Sequence, residues 1–251
     1  MSFPWQLQIG MISIPFHVIF ETAGIFIGFR YFLYLRKKHN DSIAAPSRLW
    51  IIIGSIFGAV IGSRIIGGLE NPPHMAESAN IFLYFYQNTS IVGGLLGGLA
   101  GVELTKSIIR EKQSSGDLFT FPLLLAMIIG RIGCFSMGIF EDTFGVETRS
   151  VFGMDLGDKI MRHPVALYEI AFLLVLWISL KIISKRNNLK DGGMFKLFMI
   201  FYLVFRLLLD FIKPHYTFSF GLSTIQIACS IGLIYYSYFI FNPRKIFSAY
   251  A

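Results

Sequence analysis

Seven apolar runs, each long enough to cross a lipid bilayer, constrain this 251-residue chain more than any other feature. They fall at about 14–35, 48–69, 90–109, 119–140, 165–183, 194–212 and 221–241. A hydrocarbon core takes about 20 apolar helical residues, and backbone groups inside it must be satisfied within the helix. Composition agrees. Hydrophobic residues make up 54% and charged residues 15% of the chain, where soluble domains carry about 25% charged residues. The same figures exclude a disordered chain and a disulfide scaffold. The expected fold class is all-α: a polytopic membrane protein forming a single integral-membrane domain over 1–251. The first run is long and follows no basic segment, so it is expected to be a transmembrane helix, not a cleaved signal. Ile81–Tyr86 is aromatic but too short to span.

Basic residues set the expected direction of the spans. Arg36, Lys37, Lys38 and Arg48 flank the first loop, and Lys106, Arg110 and Lys112 follow the third run. Lys181, Lys185, Arg186, Lys190 and Lys196 surround the loop after the fifth, and Arg244 and Lys245 lie in the tail. These fourteen alternate in register with only four on the other side: Arg149, Lys159, Arg162 and Lys213. The positive-inside rule then puts the N-terminus outside and the C-terminus in the cytoplasm. Basic residues scattered this way report topology and give no face for nucleic acid. The loop at 141–163 is expected to be extracytoplasmic. Its apolar residues between glycines predict a structured cap.

Four basic residues remain inside the runs. Arg30 lies near the inner end of the first, where its stem can snorkel. Arg64, Arg131 and Arg206 lie deeper, where even lenient scales charge about 2.5–3.5 kcal/mol for an arginine. Glu21, Glu103, Glu169 and Asp210 are the acidic counterparts, and Arg206 and Asp210 are spaced to pair on one helix. These charges could serve as glue between helices. Arginine also binds phosphate through two parallel hydrogen bonds and keeps its proton when partly desolvated. Two or three arginines converging from different helices would therefore form an anion site within the bilayer.

Glycines recur at four-residue spacing in the second run (Gly54, Gly58, Gly62) and the third (Gly93, Gly97, Gly101), which predicts close helix packing. No lysine directly follows any of these glycines and no strand precedes them, so a soluble-type phosphate loop is excluded. Cys134 and Cys229 lie in apolar runs and are expected to be unpaired small hydrophobes.

Two segments are recognisable. One reads Gly130-Arg131-Ile132-Gly133-Cys134-Phe135-Ser136-Met137-Gly138, and the other Arg162-His163-Pro164-Val165-Ala166-Leu167-Tyr168-Glu169. With Phe205-Arg206 and Asp210-Phe211, they resemble the bacterial prolipoprotein diacylglyceryl transferase family. The resemblance implies transfer of diacylglyceryl from phosphatidylglycerol to the lipobox cysteine thiol of an exported lipoprotein precursor, recognised by its signal peptide. It implies location in the bacterial cytoplasmic (inner) membrane, release of glycerol phosphate, and no metal or other cofactor. Arg131 matches the signature arginine and Arg206 the second essential one, with Asp210 where the family has Glu. His163, Tyr168 and Glu169 match the element opening the fifth helix, and Arg64 the arginine of the second.

The chain also departs from the family pattern, as a diverged paralogue would. The signature asparagines and glutamate are replaced, and Glu141 or Asp142 would substitute for the carboxylate. The His-Gly-Gly of the third helix is Val92-Gly93-Gly94, and the tyrosine of the first helix falls at Glu21. The expected catalytic residues are Arg131, Arg206, His163 and Glu141. The expected substrate-binding residues are Arg64, Glu169, Asp210, Tyr168, Gly130, Gly133 and Glu21. His163, Glu141 and Glu21 all stand as possible bases, and His163 could equally cap its helix. A transferase with another acceptor, and a transporter, are the competing readings. Against the transporter, the hydropathy pattern shows no internal repeat.

Overall fold

The computed structural model describes residues 3–39 and 41–247. A short antiparallel hairpin, β1 (Gln6–Ile9) and β2 (Ile12–Pro15), leads into α1 (Phe16–Lys38). Then follow α2 (Ala45–Gly68), α3 (Pro72–Glu77), α4 (Ile81–Gln87), α5 (Ile91–Ile109) and α6 (Asp117–Met137). A second small hairpin, β3 (Met154–Asp155) and β4 (Met161–Arg162), precedes α7 (Val165–Arg186), α8 (Gly193–Asp210), α9 (Thr224–Tyr235) and α10 (Ser237–Phe241). Among the described residues, five helices are long and apolar enough to cross a membrane: α1, α2, α5, α6 and α7. The sixth expected run is α8, 18 residues long, which carries Lys196, Arg206 and Asp210. The seventh is broken, because a turn at the buried Tyr236 separates the 12-residue α9 from α10. The first begins at Phe16 and not at 14, because Ile14 and Pro15 belong to β2.

Local signals explain several helix starts. Ser90 accepts the Gly93 N–H at the start of α5. Ser223 and Gln226 form a reciprocal capping box on α9. Asn80 caps α4, the short aromatic segment, through the Leu83 N–H.

The helices pack as two close pairs and an apolar core. In α2 and α5 the glycines face one another. A Cβ on Gly58 or Gly62 would strike the carbonyl oxygens of Gly97 and Gly93, so the backbones touch as small-residue packing requires. The pair α1 and α6 uses the same device. A Cβ on Gly24 would lie 2.9 Å from the Ala126 carbonyl, and one on Gly133 would lie 3.1 Å from that of His17. The core fills the space between α6, α7, α8 and α9, with Leu124, Leu173, Phe198, Leu203 and Cys229 fully buried. Outward residues such as Phe26, Phe29, Phe57, Val60 and Val175 are exposed and apolar, as a lipid-facing surface requires.

The loops sort to two ends. At one, Arg48 Nη1 donates to Ser115 O at 3.2 Å, Asp117 accepts from Gly192 N and Phe195 N, and Lys190 N reaches Ile246 O. The four groups of basic residues therefore share that end. At the other, Thr224 Oγ1 donates to Leu69 O at 2.6 Å, Val146 N reaches Ile212 O, and Trp5 N reaches Ser136 O. Backbone hydrogen bonds cross the 141–163 segment. Gly145 N bonds to His163 O, His163 N to Val146 O, and Thr148 N to Met161 O.

Candidate active site

Three helices bring charge together in the half of the bundle nearer the second end. Arg131 lies on the last turns of α6, Glu169 near the start of α7, and Arg206 one turn before the end of α8. Glu169 Oε2 lies 2.9 Å from Arg131 Nε and 3.1 Å from Arg206 Nη1. Its other oxygen accepts the Tyr202 hydroxyl at 2.8 Å. All four side chains are buried. Two guanidinium groups against one carboxylate leave a net positive charge out of water, which is costly unless an anion completes it. Arg206 Nε is buried without a partner among the described residues, and the Arg131 Nε–H is not aligned on its carboxylate. Arg131 Nη1 instead reaches Cys134 Sγ at 3.5 Å. Beside Arg131, Gly130 faces open space.

Arg206 and Asp210 do not pair as their spacing suggested. Glu169 engages Arg206 from another helix, while Asp210 accepts from Ser223 Oγ at the start of α9 and lies 3.9 Å from His215 Nδ1. Glu70, Lys213 and Ser90 gather nearby. Burial pushes the Glu70 carboxyl above its usual range, the largest effect on it, and also lowers the Lys213 ammonium.

A second cluster adjoins the first through Cys134. His17, on the first turn of α1, holds Glu141 at 2.5 Å from Nδ1 and Glu21 at 3.4 Å from Nε2. Cys134 Sγ comes within 4.8 Å of the His17 and Glu141 ligand-type atoms. The Arg131 charge beside the sulfur opposes any cation there. Glu21 is 63% exposed and reaches this cluster only through His17.

Other expected residues lie apart. His163 does not cap α7. Pro164 occupies that position, and the His163 ring bonds to the Tyr168 hydroxyl at 3.0 Å. Arg64 donates to the Tyr86 carbonyl and lies over its ring at 4.8 Å, away from the Arg131–Glu169–Arg206 contacts. Glu103 is exposed and lies 3.8 Å from Lys106. Two residues that the sequence reading passed over are central: Tyr202 and His17. Each stands four residues before a charged residue of the site, at Arg206 and Glu21, and that spacing was the available signal.

The prolipoprotein diacylglyceryl transferase family profile matches residues 4–242. Among curated relatives, the phosphatidylglycerol–prolipoprotein diacylglyceryl transferase of Rickettsia felis (strain ATCC VR-1525 / URRWXCal2) is 27% identical over 255 residues, covering 96% of this chain and 97% of its own. That of Ehrlichia ruminantium (strain Welgevonden) is also 27% identical, over 222 residues and 84% and 83% of the two chains. That of Dehalococcoides mccartyi (strain ATCC BAA-2266 / KCTC 15142 / 195) is 23% identical over 253 residues, 96% and 94%. With its paired arginines on one buried carboxylate and a match over nearly its whole length, this chain belongs to the prolipoprotein diacylglyceryl transferase family.

Proposed function

We propose that this protein moves the diacylglyceryl group of phosphatidylglycerol to the lipobox cysteine thiol of a lipoprotein precursor. The observation that carries the reading is the shared carboxylate: Arg131 and Arg206 converge on Glu169 from two other helices with donors to spare. Attack by sulfur on the glyceryl carbon breaks its bond to the phosphate oxygen, and the phosphate passes from one negative charge to two. Preorganised guanidinium groups in a dry site stabilise that added charge more than they do the ground state. Glu169 and Tyr202 hold the arginines and limit the cost of burying them.

Asp210 with Ser223 lies at the same end and would position the head group. Gly130 would leave room for the lipid, and Gly133 would let α1 approach α6. Arg64 would draw the anionic head group toward the site from α2, and His163 with Tyr168 would fix the cap at the start of α7. We read 1–251 as one membrane domain of seven spans in the bacterial inner membrane. On this reading α8 and α9 with α10 complete the count, the end bearing the basic loops is cytoplasmic, and the site opens outward beneath the 141–163 cap.

The test is a turnover assay in detergent micelles. Labelled phosphatidylglycerol is supplied with and without a lipobox peptide, and glycerol phosphate is followed. Peptide-dependent release is expected. Release without peptide would replace the acceptor, and no release beside an active relative would remove the reaction.

A further inference from the structure

The transferase chemistry needs something the arginine cluster lacks. A free thiol has a pKa of about 8.5 and must lose its proton to attack well. Arginine cannot accept that proton, and Glu169 is enclosed by Arg131, Arg206 and Tyr202. Val92, at the start of α5, is fully buried in the apolar core. His163 Nδ1 bonds to the neutral Tyr168 hydroxyl, where His17 Nδ1 has a carboxylate to orient its ring.

His17 has the arrangement of an activating base. Its Nδ1 is tied to Glu141 Oε2 at 2.5 Å, and in the tautomer that donates its proton from Nδ1 to the carboxylate, Nε2 keeps its lone pair. Nε2 points to Glu21, at 3.4 Å, which is long for a hydrogen bond. The Glu21 side chain is 63% exposed, while that of His17 is 24% exposed. Backbone contact at Gly133 brings this turn of α1 against α6, and Cys134 Sγ lies within 4.8 Å of the His17 and Glu141 atoms and 3.5 Å from Arg131 Nη1. The groups facing His17 are Glu21 on its own helix, Glu141 and Cys134 at the end of α6, and Arg131 behind Cys134. Arg64 adds its charge beside Glu21. A proton acceptor and a phosphate-binding arginine thus flank one sulfur atom, much as a thiol and a phosphate ester would need them placed.

We propose that His17 is the catalytic base that takes the proton from the incoming lipobox thiol, with Glu141 orienting its ring and Glu21 passing the proton on. This rests on the transferase reading above. The steps balance. The S–H proton goes to Nε2, and the sulfur lone pair forms the bond to the glyceryl carbon. The carbon–oxygen pair stays on the phosphate, and the proton leaves through Glu21 to water or to the released glycerol phosphate. Glu141 is therefore a positioning residue, and the sequence expectation that it acts on the thiol directly is replaced.

The experiment compares wild type, His17→Gln and Glu141→Gln in phosphatidylglycerol micelles. Each receives a lipobox peptide carrying either cysteine or selenocysteine, because a selenol is ionised at neutral pH without a base. Wild type should use both peptides at similar rates at pH 7. His17→Gln should lose about 10²- to 10⁴-fold with the thiol, and recover most of that loss with the selenol. Its thiol rate should also climb about tenfold per pH unit toward the thiol's own pKa of about 8.5. Glu141→Gln should show the same pattern more weakly.

Unchanged thiol turnover in His17→Gln overturns the proposal while leaving the transferase reading intact, as does an equal loss with both peptides. If His17→Gln does not fold, the wild-type ratio still decides: a hundredfold preference for the selenol means no base acts. A wild type inactive with both peptides fails the reading itself, an outcome distinct from the others.

Discussion

Arg206 Nη1 donates to Glu169 Oε2 across 3.1 Å, with both side chains withdrawn from solvent. The same oxygen lies 2.9 Å from Arg131, so one carboxylate restrains two buried cations from two other helices. Breaking a buried pair by removing one partner costs about 3–5 kcal/mol, because the survivor stays charged and unpaired. Here two survivors remain. Glu169→Ala should therefore destabilise the fold by at least that range, and Glu169→Gln by less because the amide oxygen still accepts. Thermal melts in detergent check this, and a Glu169→Ala melting temperature at the wild-type value would refute it.

The arginines themselves should be intolerant of lysine. An ammonium keeps the charge but loses the planar fork that grips two phosphate oxygens. Arg131→Lys and Arg206→Lys should each lower turnover about 10²- to 10³-fold, the cost of losing one preorganised donor to a developing oxyanion. Melting temperature should fall far less than in Glu169→Ala. Full turnover in either lysine variant would take that arginine away from the phosphate.

Much of the scaffold was legible in the residues. Apolar runs of bilayer length, glycines four apart and basic groups alternating in register are local signals, and the five longest apolar helices lie where they pointed. The two ends of the bundle also sort the loops as the charge pattern implied. Pairing was harder to read. Arg206 lies one turn from Asp210 on its own helix, yet Glu169 on α7 takes it, because burial rewards whichever carboxylate the packing delivers. His17 looked like one more residue of an apolar run. Its importance comes from Gly133, 116 positions away, and from Glu141 beyond the end of α6. The break at Tyr236 has no adjacent glycine or proline to announce it, only Ser237 at the start of α10.

Packing of α2 on α5 allows a matched test. At Gly58 and Gly62 an added Cβ would strike backbone carbonyl oxygens of the other helix, whereas at Gly94 its nearest neighbour would be Ser63 Cβ at 3.7 Å. Overpacking costs about 1–3 kcal/mol when side chains can shift, and backbone shifts less readily. Gly58→Ala and Gly62→Ala should each lower stability by an amount at or above that range. Gly94→Ala should be close to neutral, since alanine is also the better helix former. Equal effects at Gly62 and Gly94 would show that the helices are not in backbone contact.

Glu70 sets a pH dependence whose sign can be stated beforehand. It lies just beyond α2, and burial raises its carboxyl above the ordinary value of 4.5, an effect that Lys213 and Arg206 only partly offset. An acid with a raised folded-state pKa binds more protons folded than unfolded. Its contribution to stability is thus fully present below 4.5 and is lost as pH rises through the folded value. Lys213 works in another window. Burial lowers it from 10.5, so stability grows with pH from its folded value up to 10.5. Glutamine at position 70 cannot ionise, so Glu70→Gln isolates the first effect. Melting temperatures of the two proteins should diverge from pH 4.5 upward, with the wild type falling behind the variant as the pH approaches neutrality. A gap that stays constant over that range would show that Glu70 titrates alike in the folded and unfolded chain, and that its surroundings are wetter than the contacts around it imply.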